Sequence, residues 1–485
     1  MKRILHEFSE VAMNLSRRKS LMTYAIGDKA FYKAVFAIVI PIIIQNSITS
    51  FVSLLDNVMV GQLGTEQMSG VAIANQLIFI YNICIFGGTS GASIYGAQFF
   101  GAKDYENMRA AMRFKLYIGA GIFLLIGAAF YFFDAPLISL YLNDADNPAM
   151  VGVTLAAGQE YLFVMLFGLL PFALSTAYSS TLREAGETVL PMISGVAAVI
   201  TNVIFNYILI FGRLGAPKMG VTGAAVATVI SRFVELGIIV IASHRDKIRY
   251  FYLQGLYRTW RVPGALIRRI AVRGLPLLMN ETLWSVGMSY LAQLYSVRGL
   301  TVVAANNISS TVNNLFNTAV YAMGNAVAIM VGQALGADDA EGAKKTAWRL
   351  ICFGVALSLV MGALLAVASP FIPHIYNTTA DVRSLATVFM LILACTMPFM
   401  AFSHCCYFTL RSGGKTGLTF LFDCVPIWLV NIPIVFFLVH FTDTPIALVF
   451  LANQMVSFFK CCFGAWMVKK GVWIHNIARE ASAAD

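Results

Sequence analysis

Gly101-Ala102-Lys103-Asp104-Tyr105-Glu106 returns 235 residues later as Gly336-Ala337-Asp338-Asp339-Ala340-Glu341. The same offset pairs Pro41 with Pro276, Gly64 with Gly299, Asn82 with Asn317 and Gln98 with Gln333, with no gap between Pro41 and Glu106. An offset of 228 extends the match from Thr181-Leu182-Arg183 to Thr409-Leu410-Arg411 and from Gly186 to Gly414. The chain is two copies of one unit. Paired halves in a membrane chain commonly enclose a transport path.

The 485 residues are 59% hydrophobic and 12% charged, against about 25% charged in a soluble protein. That balance predicts an all-α polytopic membrane protein. No period-two pattern suggests a β-barrel. The eight cysteines fall mostly in apolar runs, and no Cys or His spacing resembles a zinc site. The basic start, with Arg17, Arg18 and Lys19, lacks the apolar core of a cleavable signal.

A span needs about 20 apolar residues, and twelve segments qualify. The reading divides the chain into a cytoplasmic tail (1–30), an N-lobe of six spans (31–243) and a basic inter-lobe loop (244–269). A C-lobe of six spans (270–470) and a second cytoplasmic tail (471–485) follow. Lys and Arg gather on one side; the opposite loops hold Arg213, Lys218, Arg298 and Arg383. This positive-inside asymmetry puts both termini in the cytoplasm. The net charge of +10 then reflects topology and does not call for a nucleic-acid partner. The acidic run Asn143-Asp144-Ala145-Asp146 reads as an outer loop. Six spans per half give both copies one orientation, related by a pseudo-two-fold axis along the membrane normal.

Charges inside a bilayer are expensive, by about 2.5–3.5 kcal/mol on insertion scales. Asp56, Glu160, Glu235, Glu281 and Asp423 are therefore functional candidates. Asp56 ends a stripe of Gln45, Thr49 and Ser53 at helical spacing, and Pro41 upstream removes a backbone hydrogen bond and predicts a bend or hinge. A carboxyl there is suited to carrying a proton or cation. Asn202 and Asn206, one turn apart, offer neutral oxygens, so Asp56, Asn202 and Asn206 form a candidate Na+ site. Glu281 heads a second stripe beside Asn280, and Asn317 belongs to a helix rich in amides that must face an interior. Asp423 lies toward the cytoplasmic end of its span. Arg232 and Glu235 are spaced to pair with each other; Lys460 is expected to snorkel to the inner headgroups. No HExxH, GxSxG or paired-Asp protease motif supports an intramembrane enzyme.

In this order, Pro41, Asp56-x4-Gly61-x2-Gly64, Gln98-x2-Gly101-Ala102 and Gly220-x2-Gly223-Ala224-Ala225 resemble the multidrug and toxic compound extrusion (MATE) family, over about Phe31 to Lys470. The resemblance implies two six-helix lobes in a V around a central cavity. It implies a monomeric antiporter of the cell membrane that exports cationic or amphiphilic small molecules in exchange for H+ or Na+, without a cofactor. Asp56 matches the family's first-helix coupling acid and Asn202 its fifth-helix asparagine. One branch carries a second aspartate where this chain has Asn206. Glu281 resembles a seventh-helix acid of the C-lobe cation site, but stands five residues after Pro276 rather than eight. The alternative reading is a lipid-linked oligosaccharide flippase. Its anionic cargo calls for basic residues within spans, where this reading finds only Arg232 and Lys460.

Overall fold

The computed structural model of the chain describes residues 26–142, 148–376 and 378–482. Most of the N-terminal tail, with Arg17, Arg18 and Lys19, lies outside the described residues, as do Asn143 to Asp146 and the Ser53 side chain.

Twelve long helices carry the described chain. The first six are α1 (Lys29–Gly61), α2 (Thr65–Gly101), α3 (Tyr105–Phe132), α4 (Pro148–Glu184), α5 (Val189–Phe211) and α6 (Gly220–Arg245). The second six are α7 (Gly264–Ser296), α8 (Leu300–Gly336), α9 (Ala340–Ala368), α10 (Ala380–Ser412), α11 (Thr416–Phe441) and α12 (Ile446–Lys470). Among the described residues there is no strand. Eleven of these helices are long and apolar enough to cross a membrane. The exception is α7, whose length of 33 residues suffices but whose stripe of Asn280, Glu281, Ser285, Ser289 and Gln293 lowers its apolarity.

The repeated hexapeptide proves to be a turn. After α2 the chain turns left-handed at Lys103 (φ 59°), and after α8 at Asp338 (φ 61°). The amides of Ala102 and Ala337 bond back to the carbonyls of Gln98 and Gln333 at 2.8 and 3.0 Å. The next acid caps the following helix. Asp104 Oδ1 accepts from Asn107 N (3.1 Å), and Asp339 Oδ1 accepts from Gly342 N (2.8 Å). Such a cap is worth about 1 kcal/mol because it satisfies an otherwise orphaned N–H. Gly64 and Gly299 open α2 and α8 at φ 128° and 103°, a region that side chains rarely adopt.

Packing repeats as well. In one copy α2 packs on α3 and α4, α3 on α4, α4 on α6 and α5 on α6; in the other, the helices six places later make the same pairs. Two compact units result. One comprises Pro41–Thr282 with Ala478–Asp485, the other Met1–Ile40 with Leu283–Ile477. Compactness thus divides α1 between Ile40 and Pro41, and α7 between Thr282 and Leu283, so each unit takes the leading part of a helix from the other half. In α1 the division falls where Pro41 cannot donate to the carbonyl one turn back. Within α11, a π-turn at Ile427–Asn431 lies between Pro426 and Pro433. Prolines and π-turns are common causes of irregular helix geometry.

The count of charges within helices is corrected. Beyond the charges expected within spans, the helices hold the pair Lys115 and Glu184. They lie inside α3 and α4, at 0% and 6% side-chain exposure, as an ion pair of 2.5 Å. Lys115 also donates to Ser180 and Thr181 hydroxyls, both at 3.1 Å. Mutual neutralisation makes their burial tolerable.

Candidate functional site

In the unit of Pro41–Thr282, α1, α5 and α6 bring one acid, two amides and a hydroxyl together. Asn206 Nδ2 donates to Asp56 Oδ1 at 2.6 Å and to Asn202 Oδ1 at 3.0 Å. Both asparagines are buried, at 6% and 1% exposure. Their spacing of four stacks them on one face of α5. Asn202 Nδ2 reaches the Thr228 hydroxyl of α6 at 3.1 Å. Tyr161 of α4 lies beside this group and donates to Asn75 Oδ1 at 3.3 Å. Asp56, Asn202 and Asn206 are brought together as expected. Thr228 and Tyr161 were missed, because a hydroxyl in an apolar helix is unremarkable until its partner across the helix interface is known.

The orientation of the Asn202 amide bears on charge. As placed, its oxygen faces both carboxylate oxygens of Asp56, an arrangement of acceptors only. Turned over, its nitrogen donates to Asp56 Oδ1 and Oδ2 at 2.9 and 3.0 Å, and the Thr228 hydroxyl donates to its oxygen at 3.1 Å. Amide orientation follows hydrogen bonding. The turned form suits an ionised Asp56. Asn206 Oδ1 is buried without a hydrogen-bond partner among the described residues, leaving a further oxygen available to a cation.

Gln45 does not join this cluster. Its Oε1 accepts from Arg183 Nη2 at 2.7 Å, and its side chain lies over Gly195, where a Cβ would come within 2.6 Å of Nε2. The Arg232–Glu235 pair forms as expected, at 3.1 Å. Glu160 accepts from Thr222 at 3.3 Å and stays near the surface.

The candidates Asn280, Glu281, Asn317 and Asp423 are divided between the two units. Asn280, at 1% exposure, and the half-buried Glu281 lie on the part of α7 assigned to the unit of Pro41–Thr282. Asn317 and Asp423 belong to the other unit. Asn317 is 1% exposed, and neither amide atom has a partner among the described residues. Asn307 and Asn314 of the same helix are exposed. Asp423 pairs with Lys460 Nζ at 2.7 Å, and that ammonium lies 5.4 Å over the Phe422 ring. Lys460 is thus paired with a half-buried acid of its own unit.

Outside the spans, the inter-lobe loop is fastened to the helices of its own unit. Arg113 donates to the carbonyls of Leu256 (2.8 Å) and Arg261 (3.2 Å). Arg249 clamps Glu187 through two bonds of 2.7 and 2.8 Å, and the paired carboxylate raises the Arg249 pKa further above its ordinary value.

Known proteins resemble this chain in sequence and in fold. The MatE family model matches residues 41–208 and 277–459, one stretch in each copy of the repeat. A probable multidrug resistance protein NorM of Thermotoga maritima is 24% identical over 414 residues, covering 84% of this chain and 86% of that protein. A NorM protein of Agrobacterium fabrum is 26% identical, over 70% and 71% of the two chains. The solved structure of the Vibrio cholerae MATE transporter VcmN superposes with a TM-score of 0.82 at 17% identity, covering 93% of this chain and 98% of that one. At that identity the likeness establishes the fold.

Proposed function

The chain belongs to the MatE family, and from that premise we propose that it is a secondary multidrug antiporter. It exports cationic or amphiphilic small molecules from the cell in exchange for an inward-moving ion. The observation that carries this reading is Asp56, a carboxyl within a membrane helix that meets the buried amides of Asn202 and Asn206, with Thr228 bonded to Asn202. Relatives described as multidrug resistance proteins support the class of cargo.

The coupling ion is read as a proton. A proton needs only one carboxyl, and Asp56 supplies it beside the amides of Asn202 and Asn206. In the cycle proposed, Asp56 takes up a proton from outside while the substrate is bound. The affinity for substrate falls, the substrate leaves outward, the lobes rock, and the proton is released inside. Such coupling requires that ion and substrate differ in affinity for the two states. Sodium is the second reading, favoured by the buried oxygen of Asn206 that has no partner among the described residues. Sodium would be held by Asp56, Asn202 and Asn206, with Thr228 adding a hydroxyl.

The chain is read as a monomer of the cell membrane with both termini cytoplasmic and no enzymatic step. Efflux of a fluorescent cation from everted vesicles, with pH and Na+ gradients imposed separately, tests the proposal. A proton gradient alone should drive export in the native chain. Asp56→Asn should insert normally and lose driven export. Undiminished driven export by that variant would remove Asp56 from the mechanism.

A further inference from the structure

We propose that the loop between α6 and α7 carries a binding site for an acidic phospholipid, with Arg258 and Arg261 holding the phosphate and the rings of Trp260 and Tyr117 lying against the glycerol region. All of it belongs to the unit of Pro41–Thr282. That this face is cytoplasmic rests on the proposed orientation of the chain; the lipid site does not.

Between His244 and Arg273 the chain has eight Lys and Arg and one acid, Asp246. Some of this charge is already engaged. Arg249 clamps Glu187, and Arg269 and Arg273 hold Glu480 through its carbonyl (2.6 Å) and its carboxylate (3.1 Å). Asp246 accepts from the Arg249 amide at 3.0 Å. Arg258 and Arg261 are exposed, and neither guanidinium has a partner among the described residues.

A basic loop is expected on the inner side of any membrane protein, and unordered charge would serve that purpose. This loop is held in place around the two arginines. Arg113 of α3, 4% exposed, spends three donors on it: Nε on Leu256 O (2.8 Å), Nη1 on Arg261 O (3.2 Å) and Nη2 on Gly255 O (3.4 Å). The Arg258 amide closes a turn on the same Gly255 carbonyl at 3.0 Å. One turn further along α3, the Tyr117 hydroxyl donates to Trp260 O at 2.7 Å. The Trp260 ring then lies 6.2 Å from that of Tyr117 and 5.3 Å from that of Tyr257. All three rings are about half exposed.

This arrangement selects its ligand. Arg113 has no ion pair among the described residues, so three guanidiniums stand together with no acid to balance them. Guanidinium binds phosphate through paired N–H donors and keeps its charge at any physiological pH. A zwitterionic lipid neutralises its phosphate with its own ammonium; an acidic one brings the net negative charge that this site lacks. Trp and Tyr favour the boundary between water and lipid, at the level of the headgroups. A soluble anion would leave those rings uncovered, which favours a lipid.

The test is retention of phosphatidylglycerol by the purified full chain. Native mass spectrometry reads it from mixed micelles that hold phosphatidylglycerol and phosphatidylcholine in equal amounts. The native chain should retain phosphatidylglycerol in preference. Arg258→Gln/Arg261→Gln should weaken that retention by about tenfold or more, since each basic residue at a membrane surface contributes roughly fivefold. Arg245→Gln/Lys247→Gln removes equal charge from the same loop and should weaken it by less than about threefold, because screened charge away from the phosphate counts for little. Arg258→Lys/Arg261→Lys keeps the charge, loses the fork and should bind severalfold more weakly. Tyr117→Phe keeps every charge, frees the Trp260 carbonyl and should also weaken retention severalfold. Equal losses in the two charge-matched Gln variants would reduce the loop to diffuse charge and overturn the proposal. So would a native chain without preference between the two lipids. Driven efflux is measured separately, so a failure of transport and a failure of this site are distinguishable.

Discussion

Replacing Lys115 by Met strips the cation from a carboxylate enclosed by α2, α3 and α4. The Lys115 side chain has 0% exposure and meets three acceptors: Glu184 at 2.5 Å, Ser180 and Thr181 each at 3.1 Å. Glu184 packs against Gly96 so closely that a Cβ there would fall 1.9 Å from Oε2. Breaking a buried pair from one side costs about 3–5 kcal/mol. Glu184→Gln should cost less, about 1–3 kcal/mol, because an amide oxygen still accepts from the ammonium. The double variant Lys115→Met/Glu184→Gln removes both charges at similar volume, and neutral replacement of buried pairs is often tolerated. It should therefore be more stable than Lys115→Met by roughly 2–4 kcal/mol. The assay is a double-mutant cycle on reversible unfolding of the purified chain in mixed micelles. Additive losses, with the double variant worse than either single one, would refute the coupling and with it the account of why these charges are buried.

Asn206→Ala removes a charge-assisted bond to Asp56, worth about 1.5–3 kcal/mol; ion-driven efflux should fall roughly ten- to a hundredfold while the amount of folded protein stays the same. Gly91→Ala should destabilise the unit of Pro41–Thr282, because its Cβ would stand 2.6 Å from Gly274 Cα. Gly121→Ala, with nothing within 4 Å, should be neutral or gain up to about 1 kcal/mol from helix propensity. A thermal melt of the two variants side by side decides, and equal midpoints would refute the close approach of α2 and α7. Arg249→Gln breaks a half-exposed clamp on Glu187 and should cost no more than about 1 kcal/mol, with the difference shrinking as salt is raised.

Much of the fold was legible in local chemistry. A repeated hexapeptide and an acid at a helix N-terminus act within a few residues of themselves, so the turns at Lys103 and Asp338 could be recognised as the same device. Apolar runs of about 20 residues announce helices because no other element satisfies its backbone in lipid. The site was legible in part. Asp56, Asn202 and Asn206 stood out as polar groups that an apolar helix cannot leave without partners. Thr228 did not, since its hydroxyl also bonds the Ala224 carbonyl one turn back, and Tyr161 did not, since an aromatic residue in an apolar helix reads as packing. Gln45 shared a stripe with Asp56, yet the stripe is longer than one site, and its amide met Arg183 instead. The pair Lys115–Glu184 was hidden because its two members meet only across the interface of α3 and α4.

The sequence by itself determined the duplicated unit, its turns, its helices and its membrane setting, because each depends on contacts a few residues apart or on a repeat that can be read along the chain. Only the tertiary structure decided which polar groups meet: Asp56 with two amides, Arg183 with Gln45, Lys460 with Asp423, and Lys115 with Glu184. It also decided that compactness divides α1 and α7 rather than the midpoint of the chain. Partner choice across helices is set by rotation and register, and a pattern along one helix says which face is polar without saying what that face will touch.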